Sequence, residues 1–308
     1  MCYFDTHCHL NFKAFNKNLP EVIDHAREAG VTAILVPGTD VATSQKGVEI
    51  ARSQNGVYAA VGIHPHHAYQ YQESKVRDQR VEIKNDLGQI EKLLTEKKVV
   101  AVGEVGLDYH VYAKTKYEKY AVDEQFRTWQ KALFVGQLKL AVKYHKTLIL
   151  HNREAKADLL PLLVKHWSEQ LAGRTVFHCC EPDDTLLQFA KEKNIFIGVD
   201  GDVTYNGRKQ EFVKKVPSEL LVLETDSPYL LPEPLRSQKA YPCPLTPERS
   251  DGRRANEPKN IPLIFRFLRE KLGINVAQEQ IVENSQKLFD VKVSPYQDLR
   301  DQRSKIRY

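Results

Sequence analysis

Short β-branched apolar runs recur along the chain, and a longer amphipathic stretch follows most of them. Eight of these runs predict β-strands, at residues 3–9, 33–37, 57–64, 99–108, 147–151, 175–179, 195–200 and 220–226. Hydrophobicity within the runs is continuous rather than alternating, which is typical of strands buried on both faces of a parallel sheet. The pattern predicts a parallel sheet with helices between its strands.

The amphipathic stretches predict the helices. Residues 19–30 have a proline near their start and a glycine at their end, the asymmetry expected of helix caps. Residues 124–143 repeat large apolar side chains at helical spacing, and residues 261–272 and 277–288 predict two helices near the end of the chain. Eight strands alternating with helices predict an α/β fold, a (β/α)8 TIM barrel with a C-terminal helical extension. A doubly wound open sheet is the alternative, because a strand count is easily wrong by one.

One region breaks this alternation. Eight of the fifteen prolines lie between Pro228 and Pro262, so residues 228–260 are predicted to form a long extended loop after the eighth strand. No internal repeat and no linker divides the chain. We therefore predict a single domain over residues 1–308.

Composition excludes several classes of protein. With 42% hydrophobic and 28% charged residues, the chain is neither disordered nor of low complexity. No apolar run reaches the ~20 residues of a membrane span and no signal peptide follows Met1, so no membrane partner is expected. The five cysteines are unevenly spaced, which favours a reducing compartment: the cytoplasm, or the nucleus of a eukaryotic cell. A net charge of +5 is compatible with nucleic acid but does not require it.

The positions of the histidines are more informative than the charge. Seven of the eleven lie at the C-terminal end of a predicted strand or directly after it: His7, His9, His64, His66, His67, His151 and His178. Two acids, Glu104 and Asp226, are predicted to end the fourth and eighth strands. In a TIM barrel these ends converge at the mouth that holds active sites, so we expect the side chains to meet there.

His7 and His9 share one face of the first strand, and two imidazoles at this spacing can chelate one metal ion. A hydrogen-bonded histidine pair without a metal is the alternative. Glu104 has two carboxylate oxygens and can bridge two cations, unless it pairs with an arginine. Asp108 is predicted to be a helix cap or a group that supports a ligand.

The remaining strand ends add ligands and phosphate-binding groups. Asp226 lies beside the first strand of a closed barrel, where it can ligate a metal and orient or deprotonate an attacking water. Arg153 can bind a phosphate through its planar guanidinium, or form a salt bridge to an acid. His64 is the preferred functional histidine of the third strand end, and His66 is the second choice. Either can bind a third ion, donate a hydrogen bond to a phosphate or line the mouth. His67 is expected to be exposed.

The cysteines are not expected to take part in the chemistry. The chain contains no C-x-x-C motif, which argues against a cysteine zinc site, and Cys8 lies on the opposite face of its strand from His7 and His9. Nothing in the sequence supports a cysteine nucleophile.

Taken together, these motifs resemble the TatD family of metal-dependent hydrolases, which belongs to the amidohydrolase-like barrels. The matching positions follow the family's order: Asp5-x-His7-x-His9, Gly62-x-His64-Pro-His66, Gly103-Glu104-x-Gly-Leu-Asp108-Tyr, His151-x-Arg153, His178, Glu224-Thr-Asp226-x-Pro-Tyr and Asn256-Glu257-Pro258. The resemblance covers nearly the whole chain. Many members carry a Phe and a Ser-Gly pair soon after the strand-six histidine, whereas this chain has Cys179-Cys180-Glu181-Pro182.

The resemblance implies two divalent metal ions, Zn²⁺, Mg²⁺ or Mn²⁺. Four side chains would hold the first ion: His7, His9, Glu104 and Asp226. Three would hold the second, with Glu104 as the bridge: Glu104, His151 and His178. Asp226, Glu104 and His64 would be catalytic, and Arg153 and His66 would bind substrate.

TatD-like proteins are known mainly as deoxyribonucleases, including 3′→5′ exonucleases on single-stranded DNA, and RNA cleavage is also described. We therefore expect hydrolysis of DNA phosphodiester bonds, with single-stranded ends preferred, by a monomeric protein. The alternative is an ester or amide hydrolase with the same site, such as a D-aminoacyl-tRNA deacylase. A non-catalytic scaffold is disfavoured because all six candidate ligands are present.

Two basic segments are candidate DNA-binding rims. Residues 202–215 carry four Lys and Arg against two acids, and residues 236–259 carry six against three. Tyr205, Tyr229 and Tyr241 could stack on unpaired bases. The alternative is an ordinary solvated surface.

Overall fold

Eight parallel strands form one sheet in the computed structural model, which describes residues 2–73, 78–113, 115–117, 119–238 and 254–294. The strands follow one another in chain order: β1 (Tyr3–Asp5), β2 (Val31–Pro37), β3 (Val57–Val61), β4 (Val99–Asp108), β5 (Thr147–Arg153), β6 (Thr175–Phe177), β7 (Phe196–Val199) and β8 (Leu221–Leu223). Each strand pairs in parallel with the next, as strands joined by crossover helices do.

Helices surround the sheet. Within the described ranges they are α1 (Leu19–Glu28), α2 (Val41–Ser53), α3 (Tyr69–Glu73), α4 (Gln79–Leu93), α5 (Glu124–Lys143), α6 (Lys156–His166), α7 (Asp184–Lys193), α8 (Gly207–Val213), α9 (Ile261–Glu270) and α10 (Gln278–Phe289). Short 3₁₀ turns lie at Lys13–Phe15, Pro65–Ala68, Glu169–Leu171, Gly201–Thr204, Ser218–Leu220 and Pro258–Asn260. No helix of these described ranges is long and apolar enough to cross a lipid bilayer.

The first and last strands meet and nearly close the barrel. Thr6 N donates to Leu223 O at 3.0 Å, and Asp226 N donates to His7 O at 2.9 Å. His9 N donates to the carbonyl of Ser227 at 2.8 Å. The (β/α)8 barrel is therefore confirmed over the open sheet, and the closing hydrogen bonds lie beside the predicted ligands.

The C-terminal helical extension is also confirmed. Leu288 and Phe289 of α10 belong to an apolar cluster that includes Phe4, Leu35 and Ile149 from three strands of the barrel. The rings of Phe4 and Phe289 lie 5.5 Å apart. Burial of such large side chains stabilises the barrel and anchors α10 against it.

Several strand ends differ from the prediction. β1 ends at Asp5, so His7 and His9 follow the strand rather than belong to it, and β3, β6, β7 and β8 also stop early. Apolar character continues past the last ladder hydrogen bond in these segments because the barrel mouth is itself buried. Glu104 lies within β4 rather than at its end, at an irregularity in the β4–β5 register between Val102 and Val105. Such irregularities re-aim side chains, and here the side chain is Glu104.

Two glutamines of α5 fix strand ends that carry site residues. Gln137 accepts from Ile63 N at 2.6 Å and donates to Ile63 O at 3.0 Å, directly before His64. Gln130 accepts from Asp108 N at 2.8 Å and donates to Asp108 O at 2.7 Å. Both glutamine side chains are fully buried, so each satisfies a pair of main-chain groups that water does not reach.

Part of the predicted proline-rich loop lies outside the described residues, namely residues 239–253 with Tyr241 and Cys243. The described end of that segment contains Asn256. Its side-chain amide donates to Thr225 O at 3.0 Å and so holds the main chain directly before Asp226. A single domain over residues 1–308 stays a prediction, since residues 295–308 also lie outside the described ranges.

Candidate metal centre

Four of the predicted ligands lie close together near the junction of β1 and β8, where the barrel closes. The Nε2 atoms of His7 and His9 are 3.2 Å apart. Glu104 Oε2 lies 3.5 Å from His7 Nε2 and 3.8 Å from His9 Nε2. Asp226 Oδ1 lies 3.9 and 3.5 Å from the same two nitrogens. His7, His9 and Glu104 thus form a group that could hold a metal ion, and Asp226 Oδ1 lies beside its two histidines.

These separations fit a metal ion. Two ligand atoms of a tetrahedral site, each about 2.0–2.1 Å from the ion, are about 3.3 Å apart. Without an ion, two buried imidazole nitrogens at 3.2 Å can share a single proton at most. The donor set of nitrogen and oxygen atoms suits borderline and hard divalent cations.

The second oxygen of Glu104 faces a different group of histidines. Glu104 Oε1 lies 2.6 Å from His151 Nδ1 and 3.6 Å from His178 Nε2. His178 Nε2 is also 3.8 Å from Asp226 Oδ1. Glu104 therefore presents one oxygen to each group, which is the arrangement that a bridging carboxylate requires. The structure brings together all six predicted ligands, and their role as ligands stays a prediction.

His64 is as close to the bridging carboxylate as His178 is. His64 Nε2 lies 3.6 Å from Glu104 Oε1, and its ring is 4.3 Å from that of His151. His64, Asp108 and His151 form a further group that could hold a metal ion. The predicted catalytic role of His64 and a ligand role therefore both remain compatible with its position.

Asp108 is not a helix cap. Its carboxylate lies 3.3 Å from His151 Nε2 and accepts a hydrogen bond from the Tyr112 hydroxyl at 2.6 Å. The supporting role predicted as the other possibility fits these contacts, because a carboxylate behind a ligand histidine fixes its ring. Glu224 does the same for His178, with Oε1 3.0 Å from Nδ1.

Charges within the cluster perturb one another strongly. Burial opposes ionisation of Glu104, but His64, His178 and His151 outweigh it and hold the pKa of Glu104 well below its usual value. Burial lowers the pKa of His178, yet Glu224 and Glu104 raise it to about 10. Glu104 and Asp108 likewise raise the pKa of His151 to about 9 against burial. A metal bound by these histidines must displace their protons.

Asp5, the last residue of β1, is hydrogen-bonded to the segment that follows β8. It accepts from Thr225 N at 3.0 Å and from the Thr225 hydroxyl at 2.6 Å. Burial raises its pKa to about 8. Asp5 therefore positions the segments that carry His7 and Asp226.

A cavity of about 900 Å³ opens above the cluster. Arg153 lines it, with its guanidinium 5.2 Å from the Tyr112 ring and its Nη1 donating to the Tyr112 hydroxyl at 3.1 Å. His66 also lines the cavity and lies 3.0 Å from Thr115 Oγ1 through its Nε2. His67 was expected to be exposed but is half-buried, with Nδ1 3.3 Å from the Tyr117 hydroxyl. Arg153 and His66 thus line the same cavity as Glu104 and Asp226, and their role in substrate binding stays a prediction.

The segment after His178 forms one wall of this cavity. Cys179, Cys180, Glu181 and Pro182 all line it, and Glu181 accepts a hydrogen bond from Asn152 at 2.6 Å. Burial raises the pKa of the Cys179 thiol well above its usual value. A protonated thiol is a poor nucleophile, and the absence of a chemical role for the cysteines stays a prediction.

The structure contradicts the prediction of a basic rim at residues 202–215. Lys209 is buried, with Nζ 2.7 Å from Asp200 Oδ2 and 2.9 Å from Asp202 Oδ1. Lys214 pairs with Glu211, and Lys215 pairs with Asp184. Charge counting along the segment could not include Asp184 and Asp200, because these two partners lie outside it.

Comparisons with known proteins agree on the family. The family model described as TatD related DNase matches residues 4–290. The metal-dependent hydrolase YabD of Bacillus subtilis is 33% identical over 241 residues, which cover 78% of this chain and 85% of the relative. The protein of Escherichia coli named 3′-5′ ssDNA/RNA exonuclease TatD is 30% identical over 277 residues, covering 89% and 93%.

A solved structure supports the same family. The TatD homologue YjjV of Escherichia coli superimposes with a TM-score of 0.73 at 26% identity, covering 94% of this chain and 98% of that one. A TatD-family hydrolase from Entamoeba histolytica shares the fold, with the same TM-score, at 18% identity.

Proposed function

Because the chain belongs to the TatD family of metal-dependent hydrolases, we propose that it hydrolyses phosphodiester bonds at the 3′ ends of single-stranded DNA. The observation that carries the proposal is the position of Glu104. Its two oxygens face separate groups of histidines on the floor of a cavity that Arg153 lines. Divalent cations held by these groups, together with the cationic side chain of Arg153, would suit the hydrolysis of a phosphodiester.

The residues of the site have different roles in the proposed reaction. Two divalent ions held by His7, His9, Glu104, His151, His178 and Asp226 would activate a water molecule and offset the charge that develops on the phosphate. Asp226 is the more accessible of the two carboxylates, with 16% of its side chain exposed against 5% for Glu104. Asp226 is therefore placed to accept the proton of the attacking water.

Two other side chains would act on the phosphate itself. Arg153 donates through a planar fork that suits two phosphate oxygens, and Tyr112 holds that fork over the cavity. His64 keeps Nε2 directed at the cluster because its Nδ1 accepts from His66 N at 3.1 Å. His64 can then donate a hydrogen bond from Nε2 to a phosphate oxygen.

A D-aminoacyl-tRNA deacylase would use the same metal centre, and the two activities differ in the substrate that the cavity accepts. Metal-reconstituted protein should be incubated in parallel with end-labelled single-stranded DNA, single-stranded RNA and D-aminoacyl-tRNA. We expect stepwise shortening of the DNA from its 3′ end, and loss of activity when a chelator removes the metal. Hydrolysis of the aminoacyl ester alone would replace the nuclease proposal by the deacylase alternative.

Arg153→Ala is expected to raise the KM for single-stranded DNA about tenfold or more, since a charge-assisted hydrogen bond contributes about 1.5–3 kcal/mol. Arg153→Lys should recover part of the loss, because it keeps the charge but not the planar fork. Arg52→Ala is the matched control, because Arg52 pairs with Glu96 and does not line the cavity. Initial rates over a range of substrate concentrations measure the effect, and an unchanged KM would remove Arg153 from the substrate site.

A further inference from the structure

A second cavity, of about 500 Å³, adjoins the first. Phe12 and Tyr229 line both cavities and form the boundary between them. The described residues that line the second cavity include Lys13 and Lys46 but no aspartate or glutamate. The only charged side chains among these lining residues are therefore lysines, whereas Glu104, Glu181, Asp202 and Asp226 line the first cavity.

The boundary is fixed to the metal centre on both sides. Phe12 N donates to His9 O at 3.0 Å, and the Phe12 ring stacks on the His9 ring at 4.3 Å. Tyr229 N donates to Asp226 O at 2.8 Å. The two aromatic rings lie 6.3 Å apart in an edge-to-face arrangement. Because both aromatic residues are held next to predicted metal ligands, a nucleic-acid strand that crosses them would lie close to the metal centre.

Lys46 presents its ammonium group in a set orientation. Its Nζ donates to Asn11 O at 2.7 Å and to Asn16 Oδ1 at 2.6 Å. An ammonium group has three N–H donors, so the third is available to a ligand. Lys13 is exposed at the same cavity. Two cations in a groove without acids are suited to a polyanionic backbone.

Tyr229 is the exposed part of the boundary. It is 38% exposed, so part of its surface can be reached by a ligand. Aromatic side chains beside a basic groove bind single-stranded nucleic acid by stacking on its bases, whatever the sequence. A base that is paired within a duplex cannot rotate out of the helix to stack on such a ring.

We propose that the second cavity binds the nucleotide adjacent to the scissile phosphate, with its base against Tyr229 and its phosphate on Lys13 and Lys46. This inference rests on the proposed nuclease function and identifies the feature that selects single strands. The terminal nucleotide occupies the larger cavity, and the strand leaves over the aromatic pair.

The test compares two substrates. One is an end-labelled oligothymidylate, and the other is the 4-nitrophenyl ester of thymidine 5′-monophosphate, which has no adjacent nucleotide. We expect Tyr229→Ala to raise the KM for the oligonucleotide by at least about fivefold, the loss of one stacked base. Tyr229→Phe should keep the wild-type KM on both substrates. Tyr229→Ala should raise the KM for the oligonucleotide by a larger factor than the KM for the small ester, because Tyr229 also lines the first cavity.

The lysines are tested through salt dependence. The double variant Lys13→Gln/Lys46→Gln should reduce the slope of log affinity for the oligonucleotide against log salt concentration by about 0.7, the value for one phosphate contact on a single strand, and each single variant should reduce it by part of that. Lys46→Arg keeps the charge and should retain the slope. Lys17→Gln is the matched control, since Lys17 is exposed on the same stretch but lines neither cavity.

The two proposals fail in different ways. If the wild-type protein shortens the oligonucleotide but all variants keep its KM and salt slope, the second cavity is not a nucleotide site. Equal losses on both substrates would overturn the inference as well. If the wild-type protein cleaves no nucleic acid, the nuclease proposal fails, and oligonucleotide binding by fluorescence anisotropy then decides: unchanged binding by the variants overturns the cavity assignment.

Discussion

Asp226→Asn is expected to lower kcat on single-stranded DNA by about 10³-fold, within the range attributed to loss of a general base. The amide keeps the shape of the side chain and one ligand oxygen, but it cannot accept the proton of the attacking water. Asp226 adopts a φ of 51°, a left-handed conformation in which asparagine is among the best tolerated residues. The backbone should therefore persist, and the DNA affinity should remain within a few-fold of wild type.

Asp290→Asn is the matched control for this variant. Asp290 has the same φ of 51° but lies at the end of α10, away from the metal centre. Single-turnover rates give the chemical step, fluorescence anisotropy gives the DNA affinity, and metal analysis shows whether the cations are retained. Wild-type turnover by Asp226→Asn would show that the proposed mechanism is wrong.

Lys209→Met is expected to lower the free energy of unfolding by about 3–5 kcal/mol, the cost of removing one partner from a buried ion pair. Lys209 is 2% exposed, and Asp200 beside it is completely buried. Without the ammonium group, Asp200 and Asp202 would be two neighbouring carboxylates with no described cation between them. The same side chain lies 3.5 Å from Cys179 Sγ, so the cavity wall should loosen too.

Urea unfolding measures this effect, with Lys214→Met as the control. Lys214 forms an exposed pair with Glu211, and such a pair contributes about 0–1 kcal/mol. The double variant Lys209→Met/Asp200→Asn should regain part of the lost stability, because it removes one of the unpaired charges. A loss below about 1 kcal/mol in Lys209→Met would mean that water or a rearrangement compensates the carboxylates.

Local patterns were sufficient to predict the elements of the barrel. α5 spans residues 124–143 as its helical periodicity predicts, and the predicted run at residues 99–108 coincides with β4. Both depend on neighbours within a few positions of one another, which the sequence displays directly. His7 and His9 were also predicted to point to one side, since their spacing of two residues dictates this in any extended segment.

Contacts between distant residues could not be predicted in this way. Nothing near Lys209 in the sequence indicates that it is buried between two acids, and nothing in α5 indicates that Gln130 and Gln137 hold the ends of β4 and β3. The irregularity that re-aims Glu104 arises from the register with β5, which no local pattern specifies. Composition placed the basic surface at residues 202–215, and ion pairs neutralise most of it.

The sequence by itself predicted the order of strands and helices and a barrel, with an open sheet as the alternative, because periodicity depends on short stretches of chain. The six candidate ligands followed from residues at strand ends together with the resemblance of their motifs to a known family. Only the tertiary structure decided which atoms face one another: the two oxygens of Glu104 toward separate histidine groups, and Phe12 against Tyr229 between the two cavities. Barrel closure brings together residues such as Asp5 and Thr225, which are 220 positions apart, and such proximity is a property of the whole fold.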